Sequence, residues 1–250
     1  MEACPRVGLF VTCLVDLVRP QVGFAAVTLL EQAGCEVEVP AQTCCGQPAW
    51  NSGADHHAAD LARAAIATFE PFDYVVTPSG SCAAMIKLHY PEVLVNDAQW
   101  LPRAQALAAK THELIAFLVN VRGMKSVAAR CAATACYHDS CSSLREMRMR
   151  EEPRALLGGV EGLQLSELKE PEVCCGFGGL FSVKYPEISE RMADDKIADA
   201  QATGAALMLG GDLGCLLHLK GRMQRKGVKL RVLHVAEVLA GMSSEPALGE

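Results

Sequence analysis

The sequence predicts an α/β protein made of two pseudo-symmetric Rossmann-like units with parallel sheets, and three observations predict it. Short apolar runs alternate with segments of helical periodicity. The order of these elements occurs twice along the 250 residues. Each copy carries the same series of cysteines in the same places. Self-similarity of this kind marks one supersecondary unit used twice, and strands alternating with helices pair in parallel with the helices on the sheet faces. The units are expected over residues 1–124 and 125–250.

In the first copy, residues 7–12 (VGLFVT) read as a buried strand ending at Cys13. After Pro20, the stripe Val22, Ala25, Ala26, Leu29, Leu30 and Ala33 describes an amphipathic helix, with Gly34 as its C-terminal cap. Residues 35–39 form a second strand leading into Cys44, Cys45 and Gly46. The next helix follows the stripe Ala58, Leu61, Ala62, Ala65, Ile66 and Phe69, with His56 and His57 solvated at its start. Residues 74–77 are a third strand, and the turn of residues 78–81 delivers Cys82. The second copy repeats the order. A strand near residues 132–137 precedes Cys141, a shorter apolar segment near Leu163 precedes Cys174, Cys175 and Gly176, and a helix over residues 187–203 stops at Gly204. Residues 205–209 then run into the glycine-rich turn 210–214 and Cys215. Helical segments starting at His112 and His234 close the two copies.

Lys and Arg number 23 against 29 Asp and Glu, a net charge of −6 without a basic block, so nucleic acid is an unsuitable partner. No uncharged stretch approaches the ~20 apolar residues of a membrane span, and no basic leader with a cleavage site is visible, so a cytoplasmic protein is expected. Twelve cysteines in such a chain favour metal binding over disulfides in a reducing compartment.

The two sets Cys13, Cys44, Cys45, Cys82 and Cys141, Cys174, Cys175, Cys215 fall in loops leaving the carboxyl ends of strands, where such sheets bind ligands. Four converging thiolates suit an iron-sulfur cluster or a tetrahedral zinc ion. The paired CxxC spacing of structural zinc sites is absent. Adjacent cysteines point in divergent directions, which favours two irons of one cluster, and Gly46 or Gly176 lets the backbone pass close with its amide available to sulfide. One iron-sulfur cluster per half is the favoured reading, with zinc as the alternative in one half. Cys4, Cys35, Cys131 and Cys136 lie outside the repeat and read as packing residues. His218, three residues after Cys215, is a candidate additional ligand, since imidazole replaces thiolate in some iron-sulfur centres, although a His at a loop edge is more often a hydrogen-bond donor to sulfide or carboxylate. His138 and Asp139 read either as a proton donor with its orienting carboxylate or as turn formers. Phe177, Gly178 and Gly179 do not extend to GxGxxG, so no nucleotide site is indicated.

The segments LFVTCLVDLVRPQVG from Leu9, TCCGQPAWNSG from Thr43, PSGSCAAM from Pro78, YHDSC from Tyr137, CCGFGGLFSVKYPEIS from Cys174 and DLGCLLH from Asp212 resemble the cysteine-rich CCG domain family. That family includes the heterodisulfide reductase B subunit and the iron-sulfur subunit of glycolate oxidase, and the resemblance is greater to its lactate-utilization members. It implies an iron-sulfur subunit of a cytoplasmic complex oxidising L-lactate to pyruvate. Two other lactate-utilization proteins would be its partners, one of them an iron-sulfur protein that relays electrons. In the heterodisulfide reductase relatives each complete motif ends in CxxC and supplies five cysteines to the cluster. Here Met85 and His218 stand at the last position, so a four-thiolate 4Fe-4S cubane and a site with an open iron both fit. Three functions follow: an electron-transfer subunit, a catalytic subunit binding a hydroxy acid or disulfide at a cluster, and a zinc-stabilised assembly protein.

Overall fold

Four short parallel strands form the sheet of the first half: β1 (Arg6–Leu9), β2 (Glu36–Glu38), β3 (Tyr74–Thr77) and β4 (Thr111–Glu113), in the order β2-β1-β3-β4. The second half repeats this with β5 (Arg130–His138), β6 (Glu161–Ser166), β7 (Leu207–Gly210) and β8 (Arg231–His234), in the order β6-β5-β7-β8. These elements come from a computed structural model that describes residues 4–250. The chain divides into two compact units, one ending at Gly123 and the other beginning at Met124.

The inner strands are continuous apolar runs because helices cover both faces of a parallel sheet. Val7, Leu9, Val75 and Val76 are fully buried, as are Cys136, Met208 and Leu209. β1 sets Val7 against Val37 of β2 on one side and Tyr74 of β3 on the other. The chain winds outward from β1 to β2, then crosses back to β3, so the winding reverses between β1 and β3. Beyond the carboxyl ends of strands at such a reversal lies the crevice where α/β sheets hold ligands. β5 and β7 make the same reversal in the second unit.

The expected helices form with their predicted faces inward. Pro20–Gln32 starts with proline in its first turn, which suits a position lacking an intrahelical N–H partner, and buries Val22, Ala25, Ala26, Leu29 and Leu30. Asp55–Phe69 buries Ala58, Ala62, Ala65, Ile66 and Phe69, while His56 and His57 are exposed at its start. Pro186–Ala202 and Leu213–Arg225 are the long helices of the second unit.

Three expectations need correction. The segments at His112 and His234 begin as strands, β4 and β8, which pair with β3 and β7, and their helices start at Leu114 and Val235. Runs of three or four residues carry too little periodicity to separate strand from helix. The first strand stops at Leu9, and a helix, Cys13–Val18, starts at the cysteine. Thr12 makes that turn with φ 79°, and its hydroxyl accepts a hydrogen bond from the Val15 amide at 3.3 Å. Of the four cysteines outside the repeat, Cys35, Cys131 and Cys136 are buried, but Cys4 is exposed and donates to the Gly34 carbonyl at 3.1 Å. Among the described residues no helix is long and apolar enough to cross a membrane.

Candidate metal centres

All eight repeat cysteines were expected in loops; half of them stand instead where a helix begins. Cys13 opens the helix Cys13–Val18, Cys82 lies in the first turn of Gly80–Ala84, Cys215 in that of Leu213–Arg225, and Cys141 directly precedes the π-helical turn Ser142–Glu146. Each of these strand ends passes through a tight turn into a helix, whose first N–H groups lack intrahelical partners. The two CCG triplets do lie in loops.

In the first unit the Sγ atoms of Cys13 and Cys44 are 3.8 Å apart and those of Cys45 and Cys82 are 3.3 Å apart. A hydrogen bond between the thiols of Cys44 and Cys45 closes the set. In the second unit the contacts run from Cys141 to Cys174, from Cys174 to Cys175 and from Cys175 to Cys215. Burial matches position for position. Cys45 and Cys175 are each 2% exposed, Cys82 and Cys215 each 9%, and Cys13, Cys44, Cys141 and Cys174 are half-buried. Each unit therefore holds a cup of four thiols with two at its floor and two at its rim.

The glycine of each triplet makes the loop possible. Gly46 has φ 89° and its amide donates to Cys44 Sγ at 3.5 Å; Gly176 has φ 88° and donates to Cys174 Sγ at 3.4 Å. The Phe177 amide reaches Cys175 Sγ, also at 3.4 Å. Hydrogen bonds from Cys13 and then Cys45 pull the Cys44 thiol far below its ordinary range, and Cys141 and Cys175 do the same to Cys174. The donating thiols are pushed up, first by those same bonds and then by burial. Clustered sulfurs, one readily ionised in each set and none in a disulfide, fit a soft metal centre, and amides aimed at sulfur are the hydrogen bonding that iron-sulfur sites use.

The surroundings of the two cups differ. The first is lined by apolar groups: Phe10, Met85 and Tyr90 are buried in one cluster with Cys45 and Cys82, and the Tyr90 hydroxyl donates to the Cys45 carbonyl at 2.9 Å. Beside the second lie His138, Lys196 and Ser189, all buried. His138 ends β5, and neither of its ring nitrogens has a hydrogen-bond partner. A ring nitrogen and the Sγ atoms of Cys175 and Cys215 lie within 4.8 Å of one another. Burial pushes the His138 imidazole down to about 4, with the Lys196 charge adding to the effect. Asp139 is not its orienting carboxylate, because Arg154 takes both Asp139 oxygens at 2.9 and 2.8 Å and also binds Glu167. Nε2 of His218 is 3.1 Å from Ser189 Oγ, which donates to the Gly176 carbonyl at 2.7 Å. His218 thus braces the loop that carries the CCG triplet.

A profile of the cysteine-rich CCG domain matches residues 7–87 and 135–220, which contain all eight repeat cysteines. Lactate utilization protein A of Bacillus cytotoxicus is 49% identical over 239 residues, spanning 95% of this chain and 100% of that protein. The Bacillus subtilis protein of the same name is 48% identical, covering 94% and 98% of the two chains, and that of Halalkalibacterium halodurans 50%, covering 94% and 96%. The chain belongs to the lactate utilization protein A branch of the CCG family. A solved structure of a hypothetical protein from Helicobacter pylori shares the fold, with a TM-score of 0.70 at 12% identity over 98% of this chain; the chain spans about half, 50%, of that protein.

Within the CCG pattern, Met85 is a fully buried member of the first apolar cluster. Sequence reading missed the approach of His138 to the floor cysteines and the complete burial of Lys196. The first was signalled only by position, since His138 is the last residue of a strand whose neighbour, β7, leads to Cys215. Lys196 falls on the same helical stripe as Ala193, Ile197 and Ala200, but nothing in that stripe marks the carbonyl oxygens of Glu170 and Pro171 that receive the ammonium at 2.6 and 3.3 Å.

Proposed function

We propose that the chain is an iron-sulfur electron-transfer subunit in lactate utilization. Cys13, Cys44, Cys45 and Cys82 hold one cluster, and Cys141, Cys174, Cys175 and Cys215 hold the other. The observation that carries this reading is the duplicated four-thiol cup, with the same pairs of cysteines at floor and rim. The names of the bacterial relatives supply lactate utilization as the context.

Oxidation of L-lactate to pyruvate releases two electrons and two protons, and iron-sulfur clusters store electrons one at a time. Two cups suit a two-electron donor. The floor thiols exclude water, the CCG-loop amides offset negative charge on sulfur, and the half-exposed rim thiols Cys13, Cys44, Cys141 and Cys174 provide the short approach that an electron-transfer partner needs. The partners on this reading are two further lactate-utilization proteins, one an iron-sulfur protein that accepts the electrons. Twelve free thiols accord with a reducing cytoplasm.

A second reading, zinc in one cup, is favoured by one distance. Tetrahedral zinc with bonds of about 2.3 Å sets its sulfurs about 3.8 Å apart, the separation of Cys13 and Cys44, whereas a cubane requires both this rim pair and the floor pair Cys45 and Cys82, 3.3 Å apart, to open.

The test uses the anaerobically purified full chain. Visible absorption from iron-sulfide charge transfer should bleach with a strong reductant, remain unchanged with L-lactate alone, and bleach with L-lactate once the partner proteins are added. Bleaching by L-lactate alone would move substrate binding to this chain, and a colourless zinc-containing protein would replace the reading altogether.

A further inference from the structure

We propose that His138 is a nitrogen ligand of the second metal centre, which makes that centre a mixed nitrogen and sulfur site beside an all-sulfur first one. The proposal rests on the reading that the second set of thiols holds iron. Buried polar side chains are almost always hydrogen-bonded, and each exception needs a cause. His138 is 1% exposed with both ring nitrogens unpartnered, an arrangement that is unfavourable until something meets the ring. What lies nearest are the floor cysteines, Cys175 and Cys215, with their sulfurs and a His138 nitrogen grouped within 4.8 Å. No hydrogen bond joins the ring to either sulfur. The three atoms are close enough together to meet one bound metal centre.

The backbone makes this position available. His138 is the last residue of β5 and lies opposite Gly210 of β7. A side chain at Gly210 would start 3.3 Å from the His138 carbonyl and 3.0 Å from Leu216, so the absence of one keeps the carboxyl edge between the two strands open. In the first unit the residue three before Cys13, as His138 is three before Cys141, is Phe10. Phe10 is buried in the apolar cluster and offers no donor. At the place of Gly210, five residues before its cysteine, the first unit has Thr77. The exchange of Phe and Thr for His and Gly at two facing positions is the local difference that creates a fifth donor in one cup only. His218 does not compete for the role, since Nε2 is engaged by Ser189 Oγ at 3.1 Å. A nitrogen donor in one cup only makes the two centres electronically distinct.

The deciding experiment is pulsed electron paramagnetic resonance on the reduced full-length protein, prepared with natural-abundance and with ¹⁵N-labelled histidine, after iron and sulfide have been measured. The expected result is a strong histidine-nitrogen coupling in the wild-type protein that changes with the label, disappears in His138→Ala and persists in His218→Ala. His138→Phe, which installs the first unit's residue, should likewise abolish the coupling while iron and sulfide stay bound. Iron and sulfide without a histidine coupling, or a coupling that survives His138→Ala, would overturn the inference while leaving the iron-sulfur reading intact. Absence of iron and sulfide from the wild-type protein would overturn both. The labelled wild-type measurement decides the question even where a variant fails to fold.

Discussion

The two cysteine cups have the same thiols at the same depth in different surroundings, and the comparison separates what builds a centre from what tunes it. Cys45 and Cys175, and likewise Cys82 and Cys215, agree in exposure, as do the φ angles of Gly46 and Gly176. The backbone that collects the sulfurs is therefore common to both repeats. Around it, Phe10, Met85 and Tyr90 make the first cup apolar, and His138, Lys196 and Ser189 make the second polar. Added negative charge is disfavoured in apolar surroundings and favoured beside a buried ammonium, so reduction of the second centre should precede that of the first.

The largest expected contrast concerns the two triplet glycines. A Cβ at Gly176 would stand 2.5 Å from the Ser189 carbonyl oxygen, whereas at Gly46 the nearest atom is Leu61 Cβ at 3.4 Å. Backbone oxygen cannot step aside as a flexible side chain does. Gly176→Ala should cost about 3 kcal/mol or more from left-handed strain and overpacking together, and Gly46→Ala about 1–2 kcal/mol from strain alone. Denaturant unfolding of the two variants checks this, and equal losses would break the asymmetry.

Next come the cysteines outside the cups. Cys35→Ser and Cys131→Ser should each cost about 1–3 kcal/mol for a buried hydroxyl without a partner and leave bound iron unchanged. Metal analysis at matched folded yield tests the division, and iron loss equal to that of a cup cysteine would erase it. Lys196→Met sharpens the electrostatic half of the comparison. Removing the buried ammonium should lower the second potential on the order of 60 mV, a tenfold change in a one-electron equilibrium, as read by redox titration. The smallest effect belongs to Tyr90→Phe, which removes the hydrogen bond to the Cys45 carbonyl for about 1 kcal/mol and leaves the second centre's spectrum unchanged.

The repeat made the architecture readable because its signals are local. Helices such as Pro20–Gln32 announce themselves by an apolar stripe, and the cysteine series marks where strands end. What stayed hidden depends on distance or on single torsions. The helix beginning at Cys13 follows from a positive φ at Thr12, an angle that no residue pattern encodes for threonine. β4 and β8 are too short to show periodicity. The place of His138 depends on the register of β5 against β7, and the engagement of Asp139 depends on Arg154, fifteen positions along the chain. Lys196 shares the inward stripe of its helix with Ala193, Ile197 and Ala200, and the loop carbonyl that accepts its ammonium lies 26 positions away along the chain.

The central claim is that each repeat holds its own iron-sulfur cluster. It is tested most directly by measuring iron, acid-labile sulfide and zinc in the anaerobic wild-type protein, Cys45→Ser, Cys175→Ser and the double variant. The account predicts iron with matching sulfide in the wild type, about half remaining in each single variant because serine oxygen is a poor ligand for iron otherwise held by soft thiolates, and none in the double. Zinc in place of iron, or full iron retained by a folded Cys175→Ser protein, would contradict it.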